Sequence, residues 1–145
     1  MDPEELKWLS KTFREVEVFD GMTVSEMGDL IDQLEKYEFK KDDVIFQEGD
    51  PLDCFYIIYK GAVKIIKKKM MIRKVNVSIL RSGDFFGELA LLTYKPRTAS
   101  VVAMENTVCF VLFKSTFQQL IKKNGAFKSR LQNTAFKRAL ELRKI

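Results

Sequence analysis

The chain has 145 residues, enough for one ordinary domain with its own core. With 46% apolar and 31% charged residues it reads as globular, and no apolar run approaches the ~20 residues of a membrane helix. A net charge of +5 suits an anionic ligand, but is too small to argue for a nucleic-acid partner.

There is no histidine. That removes Ser-His-Asp and Cys-His catalysis and the HExxH type of zinc site, so no catalytic residue and no metal ligand is assigned. The expectation is a binding module that is not an enzyme and needs no cofactor. Cys54 and Cys109 sit in apolar, strand-like runs and read as buried free thiols. The acidic start, Met1-Asp2-Pro3-Glu4-Glu5, lacks the basic and apolar regions of a signal peptide. A cytoplasmic setting follows as the expectation.

The first quarter reads as helical. Leu6, Leu9 and Phe13 recur at helical spacing after Pro3, which suits a first-turn position. The pattern breaks around Phe19-Asp20-Gly21-Met22. Thr23-Val24-Ser25-Glu26 then forms a capping box, opening a second helix with Met27, Leu30, Ile31 and Leu34 on one face. From Tyr37 the pattern turns to short strands: 44–46, 54–59, 62–67, 75–80, 99–103 and 107–113, with turns at Glu48-Gly49-Asp50-Pro51, Lys60-Gly61 and Arg81-Ser82-Gly83-Asp84. The last third returns to helix, Ser115 to Ile121 and then Phe127 to Arg143, with Asn124-Gly125 as a stop between them. Short strands at close intervals suggest a sandwich or barrel. The predicted fold is mainly β with flanking helices: one domain, with N-terminal helices over 1–36, an antiparallel, jelly-roll-like β-roll over 37–113 and C-terminal helices over 114–145.

One connection is too long for a hairpin. Between two strands lies Gly83-Asp84-Phe85-Phe86-Gly87-Glu88-Leu89-Ala90-Leu91-Leu92-Thr93-Tyr94-Lys95-Pro96-Arg97-Thr98-Ala99-Ser100-Val101. Its Glu-Leu-Ala-Leu-Leu run predicts a short helix beginning near Gly87. A helix start offers free backbone N–H groups and partial positive charge to an anion. Gly87 allows a ligand close to the backbone, Arg97 can clamp a phosphate with paired donors, and Glu88 can accept from a sugar hydroxyl. Standing alone, Glu88 and Arg97 would read as a surface ion pair. Leu89, Leu91 and Leu92 read as core, and Asp84, Phe85 and Phe86 as anchors of the segment. The basic run Lys64, Lys67, Lys68, Lys69, Arg73, Lys74 falls at a hairpin end, where solvated lysines discourage edge association.

Phe86-Gly87-Glu88-Leu89-Ala90-Leu91, a few variable residues, then Pro96-Arg97-Thr98-Ala99-Ser100-Val101 resembles, without a gap, the phosphate-binding cassette of the cyclic-nucleotide-binding domain family. The helical entry from Phe13 to Leu34 and the runs 45–50 and 55–63 are similar to that family as well, so the resemblance covers essentially the whole chain. It implies a cyclic-nucleotide sensor for cAMP or cGMP, with the cassette at 85–101. Glu88 would bind the ribose 2′-hydroxyl and Arg97 the cyclic phosphate. The backbone N–H groups of Gly87, Leu89, Ala90 and Thr98 would line the pocket, with Ala90 and Thr98 as direct phosphate donors and Ala99 beneath the phosphate. Val75 and Val77 are candidates for the strand side of the base pocket, with Phe127, Leu131 and Phe136 on a C-terminal lid.

The resemblance also bears on the choice of nucleotide. A hydroxyl at Thr98 goes with tolerance of cGMP, whereas cGMP-selective members carry an arginine where Ser78 stands. The reading is cAMP, or both with little discrimination. In the family, lid closure controls a kinase, a channel gate or a DNA-binding domain. The implied partner is a protein effector, either separate or on another part of a longer protein. The alternative is an interaction module with a degenerate pocket.

Overall fold

The computed structural model describes residues 1–15, 22–51, 54–68, 75–87, 97, 99–123, 125, 128–129, 132–133 and 137. Helix α1 spans Pro3–Glu15 and α2 spans Val24–Asp32. Eight strands follow: β1 Glu35–Phe39, β2 Val44–Phe46, β3 Cys54–Lys60, β4 Ala62–Lys68, β5 Val75–Arg81, β6 Phe85–Phe86, β7 Ser100–Ala103 and β8 Thr107–Phe113. Helix α3, Lys114–Lys123, follows β8 directly. All strand pairs are antiparallel, in two four-stranded sheets ordered β1-β8-β3-β6 and β2-β7-β4-β5.

Local chemistry starts α1 and α2. Asp2 Oδ1 accepts from the Glu4 N–H at 2.7 Å, just ahead of Pro3. At α2 the predicted capping box is complete: Thr23 Oγ1 accepts from Glu26 N–H at 3.1 Å, and Glu26 Oε1 accepts from Thr23 N–H at 3.0 Å. The buried face of α1 differs from expectation at one position. Leu9 and Phe13 are fully buried, but Leu6 is 45% exposed, and Glu5 lies inside instead. Its carboxylate meets Lys36 Nζ of β1 at 3.2 Å, which ties the helix to the sheet edge.

Strand β3 is apolar on both sides because both of its faces are covered. Phe55 and Ile57 point to the helices, in a core with Leu9, Phe13, Leu30, Ile31, Phe110 and Leu112. Cys54, Tyr56 and Ile58 point to the other sheet, in a second core with Val63, Ile65, Phe86, Ala99 and Val101. The second sheet keeps this two-residue alternation, with Val63, Ile65, Leu80 and Val101 facing inward. Its outer face shows Val44, Val77 and Ile79 to solvent.

Four expectations shift. Strand structure begins at Glu35, not Tyr37, because Glu35–Phe39 pairs along β8 although most of it is exposed. Phe85–Phe86 is itself a strand, paired with Tyr56 and Ile57. Strand β7 starts at Ser100, one residue after the expected Ala99. Gly125 is helical and lacks the positive φ of a stop; residues 128–129, 132–133 and 137 are helical too. No helix among the described residues is long and apolar enough to cross a membrane.

Gly61 joins β3 to β4 at φ +96°, and a Cβ there would lie 2.5 Å from Thr107 Oγ1 and 2.6 Å from Asn106 O. Gly61→Ala should therefore cost about 2 kcal/mol or more, through both backbone strain and overlap, seen as an earlier urea midpoint. Cys54 and Cys109 are free and buried. Cys109 faces Ile58, four residues from Cys54 on the neighbouring strand, or roughly 13 Å along it, too far for a disulfide. Burial pushes the Cys109 thiol from 9.0 up to about 12. In native protein at pH 8 it should resist a thiol reagent and react only after unfolding. Because the folded value is the raised one, its stabilising contribution is full below pH 9 and is lost as pH climbs toward 12.

Candidate functional site

The turn between β2 and β3 sets up the site. Gln47 N–H donates to Asp50 Oδ2 at 2.8 Å, and Gly49 takes φ +92°, so the turn folds on its own side chain. It then grips the strand entering β7. Arg97 N–H donates to Asp50 O at 2.9 Å, Gly49 N–H to Arg97 O at 2.8 Å, and Glu48 N–H to Ser100 Oγ at 2.9 Å. The main chain of Arg97 is thereby fixed from the far side of a 50-residue separation.

Its side chain turns inward and is 3% exposed. Nη2 donates to Cys54 O at 2.8 Å and Nη1 to Gly87 O at 3.2 Å. The guanidinium carbon lies 4.1 Å from the Phe46 ring centre and 6.0 Å from that of Tyr56. Tyr56 in turn stacks on Phe86, 4.7 Å apart and 4° from parallel. Three strands thus build one seat: β2 supplies Phe46, β3 supplies Tyr56 and the Cys54 carbonyl, and β6 supplies Phe86 and leads into Gly87.

Gly87 has φ +89°, and a Cβ there would lie 2.8 Å from both Arg97 Nη1 and Cys54 O. Any side chain at 87 would push the guanidinium out of its seat. Arg97 is therefore no surface ion-pair partner, since it is buried and anchored to two carbonyls. Ala99 is buried in the core between the sheets, two residues from Arg97.

Of the residues singled out in the sequence, the fold brings Gly87, Arg97 and Ala99 together. Glu88, Leu89, Ala90, Thr98, Phe127, Leu131 and Phe136 lie outside the described residues, as does the side chain of Val75. Val77 is a correction. It pairs with Ile66, on the opposite face from Ile65 and Leu80, and is 44% exposed. Alternation turns it to solvent, and the inward neighbour is Ser78, which pairs with Ile65. The seat residues Phe46, Tyr56 and Cys54 carry no local signal of this role; only pairing across the fold assembles them. Among the described residues no group of three His, Cys, Asp or Glu side chains is placed to hold a metal ion.

A family model described as the cyclic nucleotide-binding domain matches residues 36–124. The chain is 35% identical over 127 residues to a cAMP-dependent protein kinase regulatory subunit of Candida albicans, covering 88% of this chain and 26% of that protein. It is 32% identical over 139 residues to a cGMP-dependent protein kinase, isozyme 2, of Drosophila melanogaster, covering 94% of this chain and 15% of that protein. Among solved structures, the regulatory domain of Toxoplasma gondii PKA in co-crystal with cAMP superposes with a TM-score of 0.78 and 27% identity, over 95% of this chain and 51% of that one. The chain thus spans about a quarter of the length of the kinase regulatory subunits it matches, and less of the cGMP-dependent kinase. A β-roll whose gapless cassette begins at Phe85, whose Arg97 is drawn inside beside Gly87, and which matches that model over most of its length belongs to the cyclic nucleotide-binding domain family.

Proposed function

We propose that this domain binds a purine cyclic nucleotide, cAMP foremost and cGMP as well, and passes the bound state through its C-terminal helices to a protein effector. The observation that carries the reading is the seat of Arg97, a buried guanidinium fixed beside Gly87 at the mouth of the cassette. A guanidinium has five N–H donors in a planar fork, which matches two phosphate oxygens. Glu88, next to Gly87, is the ribose acceptor in this reading, and the backbone N–H groups of Leu89, Ala90 and Thr98 complete the phosphate cradle with Gly87.

Relatives named as cAMP-dependent kinase regulatory subunits support a kinase as the effector, and a relative named as a cGMP-dependent kinase supports admitting the second nucleotide. The domain is regulatory and not catalytic in this reading, and acts in the cytoplasm. Binding shifts the effector only as far as the nucleotide prefers one conformation over the other. In this account, phosphate draws the cassette toward Arg97, and the segment around Phe127 and Leu131 closes over the base. A module with a degenerate pocket would have lost Glu88 or Arg97, and this chain keeps both.

Calorimetric titration with cAMP and cGMP tests the proposal, and absence of binding to both at high micromolar concentration refutes it. Arg97→Lys keeps the charge but loses the fork, and should weaken either nucleotide by about tenfold or more; the melting temperature should fall as well, since the bonds to Cys54 O and Gly87 O are lost. Glu88→Ala should weaken both by a similar factor. Thr98→Ala should lower cGMP affinity and leave cAMP nearly unchanged.

A further inference from the structure

The basic run on β4 does not present a single face. Lys64 pairs with Ile79 and Val102, on the outer side of the sheet. Lys67 falls three residues on, and alternation turns it the other way, in line with Val63 and Ile65 of the inner core. It pairs with Asn76 on β5, one inward step from the Ile65–Ser78 pair. On its other side, Ile65 faces Val101 and Ile66 faces Ser100, so the next position across from Lys67 is Ala99. The side chain is half-buried. No hydrogen bond or ion pair joins it to another side chain among the described residues.

Strand order places this lysine relative to Arg97. In the sheet β2-β7-β4-β5, the guanidinium of Arg97 lies on Phe46, on the β2 flank of the line that leads into β7. Lys67 lies on the β4 flank, two strand spacings away, or roughly 10 Å. A nucleotide holds its phosphate and its base at opposite ends of the ribose. With the phosphate on Arg97, a base extending along the sheet reaches the β4–β5 flank, where Lys67 and Ser78 face inward.

We infer that Lys67 reads the purine base, donating from Nζ to the O6 and N7 edge of guanine. The inference rests on the cyclic-nucleotide reading above and deepens it. An ammonium is a donor with no acceptor, so it suits the two acceptors that guanine presents on that edge. Adenine keeps N7 but replaces O6 with an amino donor, which an ammonium cannot satisfy. Lys67 thus supplies affinity for cGMP from the strand side, without an arginine at Ser78 and independently of a Thr98 contact with the guanine 2-amino group.

The test measures cAMP, cGMP and cyclic inosine monophosphate affinities for the wild-type chain and for Lys67→Met, with Lys67→Gln as a second variant that keeps a donor. Cyclic inosine monophosphate retains O6 and N7 but lacks the 2-amino group, so it separates a Lys67 contact from one made by Thr98. The expected result is an about tenfold loss for cGMP and cyclic inosine monophosphate in Lys67→Met, a change under about twofold for cAMP, and partial recovery in Lys67→Gln. An equal loss for all three nucleotides would make Lys67 a phosphate-directed charge and overturn the inference, as would no loss for any. Failure of the wild-type chain to bind any of the three would overturn the cyclic-nucleotide reading itself, a different outcome visible before any variant is made.

Discussion

The arrangement turns on one buried guanidinium. Taking Arg97 out of water is expensive, and the fold offsets part of that cost with two main-chain carbonyls held by sheet structure, one to Nη1 and one to Nη2. Cys54 O belongs to the strand that crosses the middle of the first sheet, and Gly87 O follows directly from β6. The aromatic seat adds a cation–π contact with Phe46, and that ring packs in turn near Tyr56 and Phe86. Several other features serve this one. The turn at Gln47–Asp50 clasps the Arg97 main chain, and Gly87 must be glycine so that the guanidinium can lie against it.

The same strand that holds the guanidinium also carries the helices. On β3, Cys54 and Tyr56 face the site side, while Phe55 and Ile57 between them face the core formed with α1 and α2. Trp8 of α1 and Leu120 of α3 also pack on that core, with the Trp8 ring edge-on to Tyr59 at 4.8 Å. A displacement of the Cys54 carbonyl is therefore a displacement of side chains in direct contact with the helical layer. Close-packed side chains do not absorb such shifts by compression.

What could be read from sequence was whatever is encoded locally. The Thr23–Glu26 box is a four-residue signal, and it forms as written. The bounds of β2 and β8 follow their apolar runs because flanking turns delimit them. Strand structure starts at Glu35, ahead of the expected Tyr37, because the side chains of Glu35–Phe39 are mostly exposed and their support is backbone pairing to β8, about 70 residues away. Leu6 and Glu5 exchange expected roles because Lys36, from another element, makes burial of a carboxylate tolerable. In the site, the cassette motif located Gly87 and Arg97. It could not show that Arg97 sits on Phe46 and the Cys54 carbonyl, since that seat comes from three separate strands. Nor could it say whether Val77 or Ser78 turns inward, because a one-residue change of phase exchanges the two faces.

That phase also decides the electrostatics of the interior. With odd-numbered residues of β4 facing in, the space between the sheets has Arg97 on one flank and Lys67 on the other, while Lys64 is turned out. Two unit charges of like sign ~10 Å apart repel by roughly 1–2 kcal/mol at an effective dielectric near 20. A neutral ligand would leave that repulsion in place. An anion seated on Arg97 offsets that repulsion whichever base it carries, so discrimination between bases rests on the hydrogen bonds proposed for Lys67. The overall charge of +5 adds a weak long-range pull of the same sign. Ile65, Ala99 and Val101, buried in the core between the sheets, keep the local dielectric low. In the proposed reading a cyclic nucleotide answers both cations, with its phosphate on Arg97 and its base on Lys67, whereas a free phosphate would engage Arg97 alone.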